Sequence, residues 1–304
     1  MAKIILAGGS GFLGSHLTSF FLDKGVTPIV LSRGYSGKDN GVVYVQWDGK
    51  NSGEWMTELE NARALINLSG RSINTTFTKK HKKEILDSRL DSTRILGEAI
   101  SRCVNPPAAW INGSAIGYYG DRGNEKLTET SAPGKGFVAR VCQEWEETFF
   151  TFSTPKTRKI AIRTSLVLHP GEGALPPLIK LARLGLGGYA GSGRQYMPWI
   201  HLQDWVALIG WLIDSEILSG PVIAAAPETV TNKQFTRKLR NALKTSIGIP
   251  QPALLLQIGG KIIGPDAELI LSGQKAYPAI AINHGFSYQF PCLDNALEDL
   301  LGGT

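Results

Sequence analysis

A chain of 304 residues that is 42% hydrophobic suits one globular unit, or a large domain with a smaller one grafted on. No apolar run approaches the roughly 20 residues of a membrane span, the longest being the eight from Val206 to Ile213, and Cys103, Cys142 and Cys292 form neither a C-x-x-C pair nor a metal spacing. The net charge of +6 comes partly from Lys79-Lys80-His81-Lys82-Lys83, but no aromatic is interleaved with these lysines, so a solvated helix start is expected there and no nucleic-acid partner.

Lys3-Ile4-Ile5-Leu6-Ala7 reads as a first strand. The chain enters it so early that no signal peptide is expected, and the reading is a cytoplasmic protein with free thiols. Gly8-Gly9-Ser10-Gly11-Phe12-Leu13-Gly14 follows, opening a helical pattern of Phe12, Leu13, His16, Leu17, Phe20 and Phe21. Strand, glycine turn and helix N-terminus together make an anion site. Backbone N–H groups and the helix dipole point at a pyrophosphate, and Gly8, Gly11 and Gly14 let the backbone approach it. The spacing is G-x-x-G-x-x-G, a departure from the G-x-G-x-x-G of the dehydrogenase fingerprint.

Residues 27–32, 42–46 and 64–68 read as further strands. A long helix is predicted over 80–102 from Ile85, Leu86, Leu90, Ile95, Leu96 and Ile100, then a strand over 109–113, a helix over 137–152 and a sixth strand over 160–168. This alternation predicts an α/β fold with a Rossmann-type doubly wound parallel sheet. After residue 169 Gly and Pro become frequent, and the predicted helices shorten to 175–184, 202–215, 232–243 and 293–301. We therefore expect a nucleotide-binding domain over 1–168. Residues 169–304 should supply the substrate side and a small C-terminal subdomain, with sheet elements free to interleave.

The residue ending the second strand of such a fold reads the adenosine ribose, and a carboxylate there favours NAD. Here the strand ends Val30-Leu31-Ser32-Arg33, with no acid, and Asp39 lies too far along. Arg33 can pair with a 2′-phosphate and Ser32 can donate a hydrogen bond to it. A charge-assisted bond of this kind contributes about 1.5–3 kcal/mol, or roughly 10–150-fold in affinity, so NADP(H) is expected over NAD(H).

The opening glycine loop, Asn67-Leu68-Ser69-Gly70 and the stretch Asn112-Gly113-Ser114-Ala115-Ile116-Gly117-Tyr118-Tyr119-Gly120 resemble an extended short-chain dehydrogenase/reductase. So do Arg163-Thr164-Ser165-Leu166-Val167-Leu168 and Trp199-Ile200-His201-Leu202-Gln203-Asp204. More narrowly, Asp87-Ser88-Arg89, Gly191-Ser192-Gly193-Arg194-Gln195, Ala226-Pro227 and Thr231-Asn232-Lys233-Gln234-Phe235 resemble the atypical "epimerase family protein" branch, sometimes labelled sugar-nucleotide epimerase or cell-division inhibitor homologue. The tail from about Pro250 is similar to that branch's small C-terminal domain. The resemblance implies NADP bound by Gly8, Ser10, Gly11, Phe12, Leu13 and Gly14, with Ser32, Arg33, Leu68, Ser69, Glu84, Arg89 and Val167. Read from the chain alone, Glu84 and Arg89 would be a solvent-face ion pair.

The wider superfamily uses a Tyr-x-x-x-Lys pair on the helix after the fifth strand, with a Ser or Thr before it. Ser114 matches the serine, but the expected position reads Phe137-Val138-Ala139-Arg140-Val141. Phe stands for Tyr and Val for Lys, and neither exchanges a proton. Losing a positioned general acid–base typically costs about 10²–10⁴-fold. Phe137 and Val141 should stand beside the nicotinamide ribose and leave that side apolar. Tyr118, Tyr119 and His201 are substitute candidates beside Ser114, His201 for its pKa near neutrality. Asp204 reads as a helix N-terminal charge, and Tyr196, Met197 and Trp199 as pocket wall. No G-x-S-x-G elbow precedes Ser114. His16, His169 and His284 stand apart in the chain and suggest no metal cluster. The resemblance also implies a homodimer through the helices beginning near Lys80 and Phe137. Two functions stay open: an NADP(H)-dependent oxidoreductase or epimerase with a non-standard acid, and a catalytically silent NADP(H)-binding protein that acts through partners.

Overall fold

The computed structural model describes residues 3–262 and 266–302. The first half runs β1 (Lys3–Ala7), α1 (Phe12–Asp23), β2 (Thr27–Ser32), β3 (Gly37–Asp39), β4 (Val42–Gln46), β5 (Ala64–Asn67), α2 (Lys79–Arg102), β6 (Ala109–Ala115), β7 (Lys126–Leu127) and α3 (Phe137–Thr151). The second half runs β8 (Arg158–Thr164), β9 (Leu166–Leu168), α4 (Leu175–Arg183), β10 (Tyr196–Met197), β11 (Trp199–His201), α5 (Leu202–Asp214), β12 (Gly220–Ala224) and β13 (Val230–Thr231). It ends with α6 (Asn232–Ala242), α7 (Ala253–Ile262), α8 (Ala267–Leu271), β14 (Lys275–Ala276), α9 (Ala279–Asn283) and α10 (Leu293–Leu301).

Eight strands form the central sheet, in the order β12-β8-β6-β5-β1-β2-β4-β3. Every pairing is parallel except β3 with β4. Parallel strands covered on both faces are continuously apolar, as Ile4-Ile5-Leu6 is, all three fully buried. Alternate side chains then enter two different cores. Leu6, Val30, Ile66, Ile111 and Ile162 pack with Leu17 and Phe21 of α1 and with Trp205, Leu208 and Leu212 of α5. Ile5, Leu31, Leu65 and Trp110 pack on the other face with Ile95, Leu96 and Ile100 of α2 and Phe149 of α3. Removing a side chain such as Trp110 from this core costs about 3–5 kcal/mol.

The sixth predicted strand, 160–168, is two strands in different sheets. The Ser165 N–H and hydroxyl both donate to the Ala224 carbonyl, at 3.0 and 2.7 Å, and the chain leaves the large sheet there. β9 pairs instead with β11. An apolar run carries no mark of this break. Beyond residue 168, α5 and β12 return to the large sheet, whereas α4, α6 and α10 enclose a separate core around Trp199, Phe235 and Leu297. α6 opens on a capping box, with the Thr231 side chain and the Gln234 backbone and side chain bonded reciprocally. β14 pairs with β7, tying the end of the chain to its first half.

The basic run forms the first turn of α2, capped by the Thr78 hydroxyl, with Lys80–Glu84 and Lys83–Asp87 pairs along the helix. On α2 and α3, the two helices expected to carry a dimer contact, Phe150 is the one large apolar side chain left exposed among the described residues. Among the described residues no helix is long and apolar enough to cross a membrane.

Candidate functional site

The turn after β1 is held by close approach. Gly8 has φ +82°, and a Cβ there would sit 2.9 Å from the Leu68 carbonyl carbon. A Cβ on Gly14 would sit 2.5 Å from both Gly8 O and Gly9 Cα. The first turn of α1 therefore lies directly under the loop. Gly11 is the N-cap, no side chain caps it and no acid lies in the first turn, so the helix presents bare N–H groups and positive partial charge to an anion.

A cleft of about 710 Å³ opens over this turn, lined by Gly8, Ser10 and Gly11, by Ser32 and Arg33, and by Leu68, Ser69 and Glu84. Ser69 is placed from below. Its N–H donates to Asn67 Oδ1 at 3.1 Å, and Asn67 Nδ2 donates to Asn112 Oδ1 at 2.8 Å inside the sheet. The Ser69 hydroxyl itself is buried with no partner, an orphan that a ribose hydroxyl in the cleft would satisfy. Arg33 makes no ion pair among the described residues, and Ser32 Oγ accepts from Gly34 N at 3.2 Å. Asp39 lies in β3 opposite Val42, at the sheet edge. The end of β2 thus carries a free guanidinium and no acid, a donor set that fits a 2′-phosphate.

Glu84 and Arg89 do not pair with each other. Glu84 is bonded to Arg71, while Arg89 donates to the carbonyls of Arg71 and Ile85 at 2.9 Å each and lies 5.1 Å above the Trp145 ring. Burial lowers the Arg89 pKa. Phe12 and Leu13 open α1 and pack on the core that contains Val167, itself buried in β9 opposite Ile200.

Leu68 leads from the cleft into a second cavity of about 170 Å³, lined by Leu13, Arg89, Ser114, Phe137, Val141 and Cys142 among others. Phe137 stands edge-on to Phe77 at 4.8 Å, with the Lys82 ammonium 5.0 Å over its face. Phe137 and Val141 make this wall of the cavity apolar. Burial pushes the Cys142 thiol up to about 12, so it stays protonated.

Ser114 is bound from behind. Its hydroxyl donates to Glu146 Oε1 at 2.6 Å. Glu146 holds Arg163 in a two-pronged pair, Nε to Oε1 at 2.8 Å and Nη2 to Oε2 at 2.7 Å. Arg163 Nη1 donates to Tyr119 Oη at 2.7 Å and to Glu129 O at 3.0 Å. Burial works against the Arg163 charge, but the Glu146 bonds overcome it and raise the pKa. Tyr119 is fully buried, and burial raises its pKa further from neutrality. The Tyr118 ring lies flat against Arg163, 3.6 Å from the guanidinium carbon. Both tyrosines therefore serve the ion pair, and neither lines the Ser114 cavity.

His201 is not brought to Ser114. It is 2% exposed and caps α5, Nδ1 accepting from Gln203 N at 3.1 Å, with Phe290 stacked at 4.0 Å and Asp299 3.3 Å from Nε2. Asp204 sits in the same first turn and accepts from the N–H groups of Gln289 and Phe290, at 2.7 and 2.9 Å. His16 and His169, far apart in the chain, are neighbours in space, their ring centroids 5.0 Å apart.

A third cavity, about 250 Å³, shares Ile73, Ala115, Val138 and Thr164 with the second. Its remaining walls include Ile116, Leu166, Tyr196, Met197, Glu268, Leu269 and Gln274. The C-terminal segment closes it: Glu268 Oε1 accepts from Val138 N at 3.2 Å, Asp266 Oδ2 from Phe77 N at 3.3 Å, and Gln274 Nε2 donates to Gly120 O at 3.0 Å. Tyr196 lies beside Lys275, whose ammonium is 5.2 Å from its ring. The sequence left Tyr196 as wall and passed over Glu146. Glu146 had a signal, a lone carboxylate on the apolar face of α3 between Cys142 and Phe149, which requires a buried cation.

Residues 4–224 match the model of the NAD dependent epimerase/dehydratase family, and residues 251–300 match a domain of unknown function, DUF1731. The chain is 31% identical to the mouse epimerase family protein SDR39U1, covering 98% of this chain and 99% of that one. It is 33% identical to Bacillus subtilis YfhF over 98% of each. Among solved structures it is similar to human SDR39U1 (isoform 2) with NADPH, with TM-score 0.89, 29% identity, 99% of this chain and 100% of that chain. A nucleoside-diphosphate sugar epimerase from Corynebacterium glutamicum superposes with TM-score 0.80 at 29% identity, over 99% of this chain and 58% of that one.

Proposed function

Because the chain belongs to the NAD dependent epimerase/dehydratase family, we propose that it is an NADP(H)-dependent oxidoreductase acting on a small, weakly polar carbonyl compound or alcohol. The observation that carries this reading is the series of three adjoining cavities, of about 710, 170 and 250 Å³, along the carboxyl ends of the strands. The first fits an adenine dinucleotide. Gly8 and Gly11, with Gly14 packed beneath them, would hold its pyrophosphate, Ser32 and Arg33 a 2′-phosphate, and the orphaned Ser69 Oγ a ribose hydroxyl. The NADPH bound to the human relative supports this choice. Bound NADPH supplies a hydride.

The chain's own part is to shape the pocket of Ser114, Phe137 and Val141 for the nicotinamide ribose and to present the substrate from the third cavity. The Ser114 proton is directed at Glu146, which leaves the Oγ lone pairs to accept a hydrogen bond. Tyr196, a hydroxyl-bearing residue in the wall of the third cavity, is the proposed proton donor in place of the superfamily tyrosine. At about 250 Å³ this cavity falls below the roughly 300–1,000 Å³ of common ligand pockets, which favours a small substrate over a nucleotide sugar. A second reading, NADP(H) binding without turnover, draws on the apolar Phe137 and Val141.

One experiment separates them. NADPH oxidation is followed with panels of small aldehydes and ketones and of nucleotide sugars, for the parent and for Tyr196→Phe. We expect turnover of a small carbonyl, lowered about 10²–10⁴-fold in kcat by the variant with NADPH affinity kept. Tight NADPH binding with no turnover on either panel leaves the second reading. Turnover of nucleotide sugars alone rejects the small substrate.

A further inference from the structure

We propose that His16, His169 and Glu172 form a binding site for a divalent transition-metal ion of the Zn²⁺, Co²⁺ or Ni²⁺ class, fastening the loop after β9 to α1. One donor atom from each of the three residues lies within 4.8 Å of the other two. His16 Nε2 is 3.7 Å from the Glu172 carboxylate, and the two imidazole centroids are 5.0 Å apart with their planes tilted by 59°. Tetrahedral zinc with bonds of about 2.0–2.1 Å sets its donors about 3.3 Å apart. Closing the site therefore asks for roughly 1–1.5 Å of side-chain movement, shared between the exposed Glu172 and the half-buried imidazoles. Two imidazoles and one carboxylate suit a borderline ion. Mg²⁺ and Ca²⁺ would look for an all-oxygen shell.

The surroundings favour ligation. The contact that His169 Nδ1 accepts from Gly171 N is long, 3.3 Å, and exposed, so it costs little to give up if ligation needs the other tautomer. Phe12 walls one side, its ring 5.5 Å from His16 and 5.7 Å from His169. The loop lies close on that ring, since a Cβ on Gly173 would be 3.0 Å from it. Three protein ligands leave a coordination position for water or another small donor. The site stands on these contacts alone and not on the dinucleotide reading. It is nonetheless one helical turn from the glycine loop, so an ion there would fix the loop to the helix that carries the pyrophosphate site.

The test uses the untagged full chain, stripped with EDTA and titrated with Zn²⁺ by calorimetry and with Co²⁺ by absorption. We expect one ion per chain, micromolar affinity or tighter, and intense visible Co²⁺ bands of four- or five-coordinate geometry. His169→Ala, His16→Gln and Glu172→Gln should each weaken Zn²⁺ binding at least tenfold, while His284→Ala, on an exposed histidine elsewhere, leaves it unchanged. Melting curves of the metal-free variants check folding, and His169→Ala, in a surface loop, carries the test if His16→Gln fails to fold. Parent binding no tighter than that of His169→Ala, or binding lost equally with His284→Ala, overturns the site.

Discussion

Replacing Glu146 by alanine should destabilise the chain by about 3–5 kcal/mol, because it leaves a buried guanidinium without its counter-charge. The Arg163 and Glu146 side chains are only 3% and 7% exposed, so water cannot take over the lost bonds. Three donors lose their acceptor at once: Arg163 Nε, Arg163 Nη2 and the Ser114 hydroxyl. Each orphaned donor costs about 1–3 kcal/mol, which places the sum at the upper end of that range. Glu146→Leu combined with Arg163→Met removes both charges and should recover most of the loss. Buried pairs replaced together by apolar residues of similar volume are often close to neutral. What stays lost belongs to Ser114 and Tyr119, left without partners. Urea unfolding followed by tryptophan fluorescence, extrapolated linearly to water, measures all three proteins. A loss below about 1 kcal/mol for Glu146→Ala, or a double variant less stable than the single one, would refute the reasoning.

Arg33→Ala should narrow the ratio of NADPH to NADH affinity by roughly 10–150-fold in titration calorimetry, and an unchanged ratio would show that the 2′-phosphate is read elsewhere. Gly14→Ala puts a methyl group 2.5 Å from Gly8 O and should abolish NADPH binding measured by fluorescence; affinity within a few-fold of the parent contradicts the packing of loop on helix. Burial lowers the His201 pKa in the fold below its unfolded value of about 6.5, so its contribution to stability is complete above that pH and declines as pH falls below it. His201→Asn keeps an acceptor for Gln203 N and should show a smaller drop in urea midpoint between pH 7 and pH 5; equal drops would clear His201 of the effect.

The parts of the fold legible in the chain were those set by neighbours in sequence. Ile4-Ile5-Leu6 followed by Gly8, Gly11 and Gly14 announces strand, turn and helix, since spacing, backbone freedom and periodicity are all local. The Ser32-Arg33 ending is likewise a short-range reading. What stayed hidden depends on long closures. Ser114 was noticed, but not that Glu146 and Arg163 hold it from below, on a helix and a strand that meet only once the sheet forms. Tyr118 and Tyr119 are near Ser114 in the chain yet turn to Arg163, because a buried guanidinium needs them more than an apolar cavity does. His201 stood as a substitute candidate beside Ser114 and is a buried cap, and His16 with His169 looked scattered and is a pair.

The 710 Å³ cleft beside Ser32 and Arg33 is drawn from residues up to Ser92, whereas Glu268, Leu269, Ser272 and Gln274 join Tyr196 and Met197 in walling the third cavity. The end of β2 and the C-terminal wall of the third cavity therefore lie in separate stretches of the chain. A chimera that takes its last fifty or so residues from a relative should inherit that relative's substrate preference while keeping its own choice between NADPH and NADH. A change in the C-terminal wall can therefore reshape the third cavity without touching the glycine loop.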